Sequence, residues 1–187
     1  MKTEHIGKKK GLTVTDMVYI AVFAGIMAVC AWISIPAAVP FTMQTFAIFF
    51  AYQVLGGKRG TLAVLVYLLI GMTGIPVFAG FSGGIGTLVT PTGGYLFGFL
   101  GSAAAMWGLE RFAGQNTLRQ FLVMLAGLLV CYVLGTVWFM GFYMYTTGPV
   151  GLLTVLGWCV FPFVIPDILK IALALLLGRR IGRYARL

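Results

Sequence analysis

An all-α integral membrane bundle of six transmembrane helices is the fold this sequence predicts, and three observations predict it. Of the 187 residues, 60% are apolar and only 9% charged, too few charges to cover a water-facing surface, which excludes an ordinary cytoplasmic globule. The apolar residues fall in runs separated by short polar or glycine-rich links. At roughly 20 residues per bilayer crossing, the length holds about six spans and no soluble domain of useful size. The 13 Lys and Arg against four Asp and Glu give a net charge of +9 and sit in short clusters between those runs, the pattern of membrane topology rather than of a nucleic-acid surface. The chain therefore reads as a single membrane domain over residues 1–187: a basic cytoplasmic tail at 1–15, the bundle at 16–178 and a basic cytoplasmic end at 179–187.

The first twelve residues are polar and basic, with Lys8, Lys9 and Lys10 together, and Thr13 to Asp16 has the pattern of a helix-start cap. Helix one is predicted over residues 16–35. A basic start before an apolar run also fits a cleaved signal peptide, but the run is long and has no small-x-small exit before Pro36. Pro36 and Pro40 bracket a break, helix two covers 44–55 and ends at Gly56-Gly57-Lys58-Arg59, and helix three covers 61–73. Residues 74–93 carry Gly74, Gly80, Gly83, Gly84, Gly86 and Gly93 with Pro76 and Pro91, too many breakers for a regular helix, and predict an apolar outer loop between helices three and four. Helix four runs from about Gly94 to Glu110 and Arg111. A polar link with Gln115, Asn116 and Arg119 leads to helix five over 120–143, and helix six runs from about Val150 to Arg179 and Arg180. With a cytoplasmic amino terminus, six crossings place every basic residue except Lys170 on the inner side and make both termini cytoplasmic, in a multi-pass protein of the cell (plasma) membrane.

Small residues recur at helical spacing: Ala21, Ala24, Gly25 and Ala28 in helix one, Gly94, Gly98, Gly101 and Ala105 in helix four, Gly127, Cys131 and Gly135 in helix five. Such stripes let helices approach closely in lipid, either within the bundle or against another membrane subunit. Cys30, Cys131 and Cys159 lie inside apolar runs, odd in number and without metal-ligand spacing, and read as packing residues.

The exception to the charge pattern is Asp167 with Lys170, three residues apart on one helical face within an apolar run. An ionisable group at membrane depth costs at least about 2.5 to 3.5 kcal/mol on insertion scales and marks a functional site by default. The competing reading is an ion pair that only fixes helix six. The functional reading assigns the compensation for their desolvation to a guest molecule. Pro162 and Pro166, just before the pair, release carbonyls or bend the helix and open room for a ligand. A carboxylate beside an ammonium suits a small solute offering both N–H donors and carbonyl or carboxylate acceptors. A second ligand-facing group is the glycine-rich loop, where backbone amides (Gly84 among them) and Ser82, Thr87, Thr90 and Thr92 hydrogen-bond while Phe78, Phe81 and Tyr95 supply flat apolar surface. Thr42, Gln44 and Thr45 lie on the same outer side, and capping of helix two explains them as well as ligand contact does.

Gly80-Phe81-Ser82-Gly83-Gly84 matches the G-x-S-x-G serine motif, but not in a strand-to-helix context, and the single histidine, His5, sits in the basic tail. A membrane hydrolase using Ser82 with Lys170 is the alternative from a different class, and a purely structural membrane partner is a third. The sequence has no G-x-x-x-x-G-K-[ST], H-E-x-x-H or G-x-G-x-x-G motif. It reads as a non-enzyme without cofactors, and uphill transport would draw its energy from a partner or an ion.

The strings Val39-Pro40-Phe41-Thr42-Met43-Gln44-Thr45, Gly74-Ile75-Pro76-Val77-Phe78-Ala79-Gly80-Phe81 and Pro91-Thr92-Gly93-Gly94-Tyr95-Leu96-Phe97-Gly98-Phe99, followed by Pro166-Asp167-Ile168-Leu169-Lys170, resemble the BioY family, biotin-binding S components of energy-coupling-factor (ECF) transporters. The resemblance covers nearly the whole chain. It implies a six-helix protein that binds biotin as its transported ligand near the outer face and works with a transmembrane coupling subunit and two cytoplasmic ATPases. It also implies docking on the coupling subunit through an A-x-x-x-A pattern on helix one, matched by Ala24 and Ala28. Biotin has a ureido ring with two N–H groups, an apolar thiophane ring and chain, and a carboxylate. The expectation is that Asp167 accepts from the ureido N–H groups, Lys170 donates to an acceptor, and Phe78 and Tyr95 cover the rings. Gly80 and Gly83 leave the loop without a basic or amide side chain, so backbone or Ser82 would meet the carboxylate. An S component for another vitamin is the alternative within transport.

Overall fold

The computed structural model describes residues 11–37 and 39–182; the basic tail with His5 and Lys8 to Lys10, and the end at 183–187, lie outside the described residues. Helix α1 (Val14–Trp32) opens with the expected cap. The Thr13 amide donates to Asp16 Oδ2 (2.9 Å) and Thr13 Oγ1 accepts from the Asp16 amide (3.2 Å), so two end groups satisfy each other. The helix stops at Trp32, short of the predicted 35. Pro36 biases Ile35 toward extended backbone, and strand β1 (Ser34–Ile35) pairs antiparallel with β2 (Phe41–Thr42) in a small hairpin.

Helix α2 (Gln44–Met72) is two arms, 44–55 and 57–72, divided at Gly56 (φ 78°, ψ 173°), a conformation open mainly to glycine. The arms fold back on each other: Gly60 packs on the Tyr52 backbone, and near the far end Gln44 Nε2 donates to Tyr67 Oη at 2.7 Å. The second arm starts under Glu110, whose Oε1 accepts the Gly57 N–H at 2.8 Å; a carboxylate there also meets the positive end of the helix. Glu110→Ala should therefore lower stability by about 1 kcal/mol, while Glu110→Gln, which keeps an accepting oxygen, should lose less. Thermal unfolding in detergent measures both, and equal melting of all three proteins would remove the capping role.

Residues 74–92 connect α2 to the next long helix without a long element of their own. They hold a 3-10 turn (Ala79–Phe81), a single turn α3 (Ile85–Leu88) and a bridge between Phe78 and Ser82. Helices α4 (Gly93–Ala113) and α5 (Thr117–Thr146) make the most extensive helix contact in the molecule. Their glycines explain it: a Cβ on Gly94 would meet Trp138, on Gly98 the Cys131 backbone and sulfur, on Gly127 Met106, and on Gly135 the Tyr95 ring. These small-residue stripes serve intramolecular packing.

The predicted helix six is two helices, α6 (Leu152–Cys159) and α7 (Phe161–Gly182), parted at Val160. Pro162 lacks the N–H that a continuous helix would give to Trp158, but in the first turn of α7 that loss costs nothing. Seven α-helices are thus described, and four of them (α1, α2, α5 and α7) are long and apolar enough to cross a membrane.

The rods alternate in direction. At one end Arg59 Nε pairs with Asp16 at 2.9 Å, Glu110 meets Gly57, Gln53 donates to Gln120 (3.3 Å), and Arg179 Nη2 donates to the Gln115 carbonyl (3.4 Å). At the other, the indole N–H of Trp32 donates to Pro76 O (2.9 Å), that of Trp138 to Thr90 O (3.0 Å), and Lys170 reaches Thr42. Lys58, Arg59, Arg111, Arg119, Arg179 and Arg180 therefore gather at the end opposite Lys170. Ala24 and Ala28 are 3% and 7% exposed, buried in the core to which both α1 and α2 contribute. The structure therefore buries the two alanines expected to dock, and the helical phase turns Ala21 and Gly25 outward.

Candidate ligand-binding site

Between the hairpin, the 74–92 segment and helices α2, α4, α5, α6 and α7 lies a cavity of about 760 Å³, mouth included. Its walls are mainly apolar and aromatic, with Phe78, Tyr95, Phe99, Tyr132 and Phe163, and its polar cluster is the Asp167 and Lys170 pair.

Both charged residues come from α7, Asp167 directly after Pro166 and Lys170 about one turn past it, and are 2% and 6% exposed. Lys170 Nζ donates to Asp167 Oδ1 (2.8 Å), to the Thr42 carbonyl (2.7 Å) and to Thr45 Oγ1 (3.2 Å), with the Phe41 ring centroid 4.2 Å away. Thr45 in turn donates to Asp167 Oδ1 (2.9 Å), and the Tyr132 hydroxyl of α5 donates to Oδ2 (2.7 Å). The desolvation of both charges is thus offset by protein groups; the expectation that a guest molecule must add to their mutual attraction is corrected, since Thr42, Thr45 and Tyr132 already do so. The cavity nevertheless lies alongside the pair.

Thr42 and Gln44 line the cavity and are also committed to the frame. Thr42 Oγ1 donates to Gln44 Oε1 (2.9 Å) and accepts from the Gln44 amide (3.3 Å), so the helix-start role exists. From Gln44 the chain of bonds continues through Tyr67 Oη to the Val77 carbonyl (3.0 Å), tying the hairpin side of α2 to the loop. Phe78, 1% exposed, packs over Gly71 and edge-on to Tyr67 (centroids 5.5 Å apart). Tyr95 Oη lies 3.4 Å from the Cys159 carbonyl at the end of α6.

Ser82 and Thr92 line the cavity, Ser82 donating to Ala79 O (2.8 Å) and Thr92 paired with Thr90 (3.3 Å). No base bonds Ser82 among the described residues, and the Lys170 hydrogens go elsewhere, so the serine-lysine dyad does not form. Two further expectations are corrected. Gly84 does not line the cavity; at φ 91° it gives its N–H to Gly71 O (2.7 Å) and shapes the loop. Phe81 is 64% exposed and stacks on Trp32 outside the cavity.

Sequence reasoning missed Tyr132, Phe163 and Phe99 and did not place Thr45 in the cluster. The available signal for Tyr132 was a phenol in the middle of an apolar helix.

Comparison with known proteins identifies the family to which the chain belongs. The chain is 40% identical to the probable biotin transporter BioY of Pyrococcus horikoshii over 163 residues, covering 87% of this chain and 93% of that one. It is 40% identical to the biotin transporter BioY of Thermotoga maritima over 169 residues, covering 90% and 96%. Its fold superposes on the 2.1 Å crystal structure of the S-component for biotin from an ECF-type ABC transporter with a TM-score of 0.80 at 25% identity, covering 92% of this chain and 95% of that one. The BioY family model matches residues 2–186, and the chain belongs to the BioY family.

Proposed function

We propose that this chain is the biotin-capturing subunit of an ECF-type uptake transporter in the cell membrane, binding biotin in the cavity above Asp167 and Lys170. The observation that carries the reading is an aromatic-walled cavity with one polar cluster, in a chain whose relatives are biotin transporters. An apolar ring and chain fit the walls, and a ureido group fits the cluster. In this reading the chain crosses six times, through α1, the two arms of α2, α4, α5, and α7 with α6 at its cavity end; the four long apolar helices support it. The gathering of basic residues at the far end favours a cytoplasmic placement for that end and for both termini. In this reading the chain captures ligand and does no catalysis; no base bonds Ser82 among the described residues, and energy comes from ATPase subunits acting through a transmembrane coupling subunit.

Calorimetric titration of the purified chain with biotin should give saturable one-to-one binding that other vitamins do not displace. No binding, or tighter binding of a different vitamin, would overturn the ligand. For docking, Ala21→Trp and Gly25→Trp sit where α1 is exposed and no neighbour would touch a new Cβ on Gly25. Both should abolish ATP-driven uptake with biotin affinity unchanged; full uptake would place the partner elsewhere. Ala24→Trp and Ala28→Trp should instead unfold the α1 packing.

A further inference from the structure

The polar cluster has donors and acceptors in unequal supply. An ammonium has three N–H donors and a carboxylate about four lone-pair sites. All three Lys170 donors are taken, by Asp167 Oδ1, the Thr42 carbonyl and Thr45 Oγ1. Asp167 Oδ1 already holds two donors, Lys170 and Thr45. Its Oδ2 holds one, the Tyr132 hydroxyl at 2.7 Å. The hydroxyl hydrogens of Thr45 and Tyr132 are both spent on the carboxylate. What remains is accepting capacity: one lone-pair site on Asp167 Oδ2 and the lone pairs of the Tyr132 oxygen, on two residues that line the cavity.

From this count we infer that Tyr132 and Asp167 Oδ2 form an acceptor-only subsite that selects a ligand by its N–H donors, with Tyr132 as a specificity-determining residue. Tyr132 acts twice. Its hydrogen fixes which lone pair of Oδ2 stays open, and its oxygen adds a second acceptor beside it. Lys170, expected from sequence to donate to the ligand, has no hydrogen left to give; it neutralises Asp167 and holds the hairpin through the Thr42 carbonyl. The choice of ligand rests on the biotin reading, in which the two urea N–H groups enter this subsite and the carboxylate points away from it. A site built to accept hydrogen bonds rejects an analogue that cannot donate them, because its buried acceptors then stay unpaired.

The test compares biotin with biotin methylated on a ureido nitrogen, titrated against the full chain in lipid nanodiscs. Wild type should prefer biotin by at least about 100-fold. Tyr132→Phe should cut that ratio about tenfold, through weaker biotin binding with the methylated compound unchanged. A merely structural Tyr132 would weaken both ligands together and leave the ratio intact, and that result overturns the proposal. Tyr132→Met serves as a second hydroxyl-free variant if Tyr132→Phe fails to fold, and equal binding of the two ligands by wild type also overturns it. Should wild type bind no biotin, the biotin reading fails separately. The subsite is then decided by thermal shift with 2-imidazolidinone against its N,N′-dimethyl derivative: stabilisation by the first alone supports it, and equal or absent stabilisation overturns it.

Discussion

Asp167→Asn is expected to weaken biotin binding by at least about 100-fold and to lower the melting temperature of the empty protein. The amide leaves the Lys170 ammonium, 6% exposed, without its counter-ion, and breaking a buried pair from one side costs about 3–5 kcal/mol. It also turns an oxygen that accepts from Tyr132 or from Lys170 and Thr45 into a donor aimed at donors. Binding and stability fall together in this variant, so it cannot separate them. The double variant Asp167→Leu with Lys170→Met can. Replacing both charges by apolar groups of similar size is often neutral or stabilising, so its melting should return to about the wild-type value. Its biotin affinity should remain lost, because the acceptor has gone. Restored stability with restored binding would show that the pair only braces α7, and would move the ligand to another wall of the cavity.

What was legible in the sequence follows from where its physics is local. Charge density and hydropathy set the fold class, the Thr13 and Asp16 pattern set the start of α1, and Gly56 with Gly57 set the reversal between the two arms of α2. The Asp167 and Lys170 pair was visible because two charges stand alone in an apolar run. Their partners were not visible, because Tyr132 lies 35 positions from Asp167 and Thr45 lies 122, and only the bundle brings them together. The burial of Ala24 and Ala28 was illegible for a related reason. Ala21, Ala24, Gly25 and Ala28 all read as small residues, and choosing the outward ones needs the rotation of α1 against α2. Pro162 reads from sequence as freeing carbonyls or bending one long helix, whereas it stands in the first turn of a second helix, because a proline within an apolar run permits either.

Gly71→Ala should lower biotin affinity at least about tenfold, though it adds one methyl outside the polar cluster. Gly71 lies in the second arm of α2, where a Cβ would occupy the space of the Phe78 ring. Phe78 is 1% exposed and stands edge-on to Tyr67, whose hydroxyl joins Gln44 to the Val77 carbonyl. Displacing the ring therefore shifts a cavity wall and the bonds that hold the loop to α2. Overpacking of this kind costs about 1–3 kcal/mol. Against it stands the gain of about 0.5–1 kcal/mol from replacing glycine within a helix. The net stability loss should be small and the affinity loss large, because the wall moves further than the fold weakens. Gly108→Ala is the control: it is exposed in α4, nothing lies within 4 Å of its new Cβ, and it should gain the helix term with binding unchanged. Adding Phe78→Leu to Gly71→Ala should restore part of the stability by making room, but not the affinity, since the flat surface over the ligand is gone. Affinity recovered along with stability would mean that Phe78 fills space between α2 and the loop without covering the ligand.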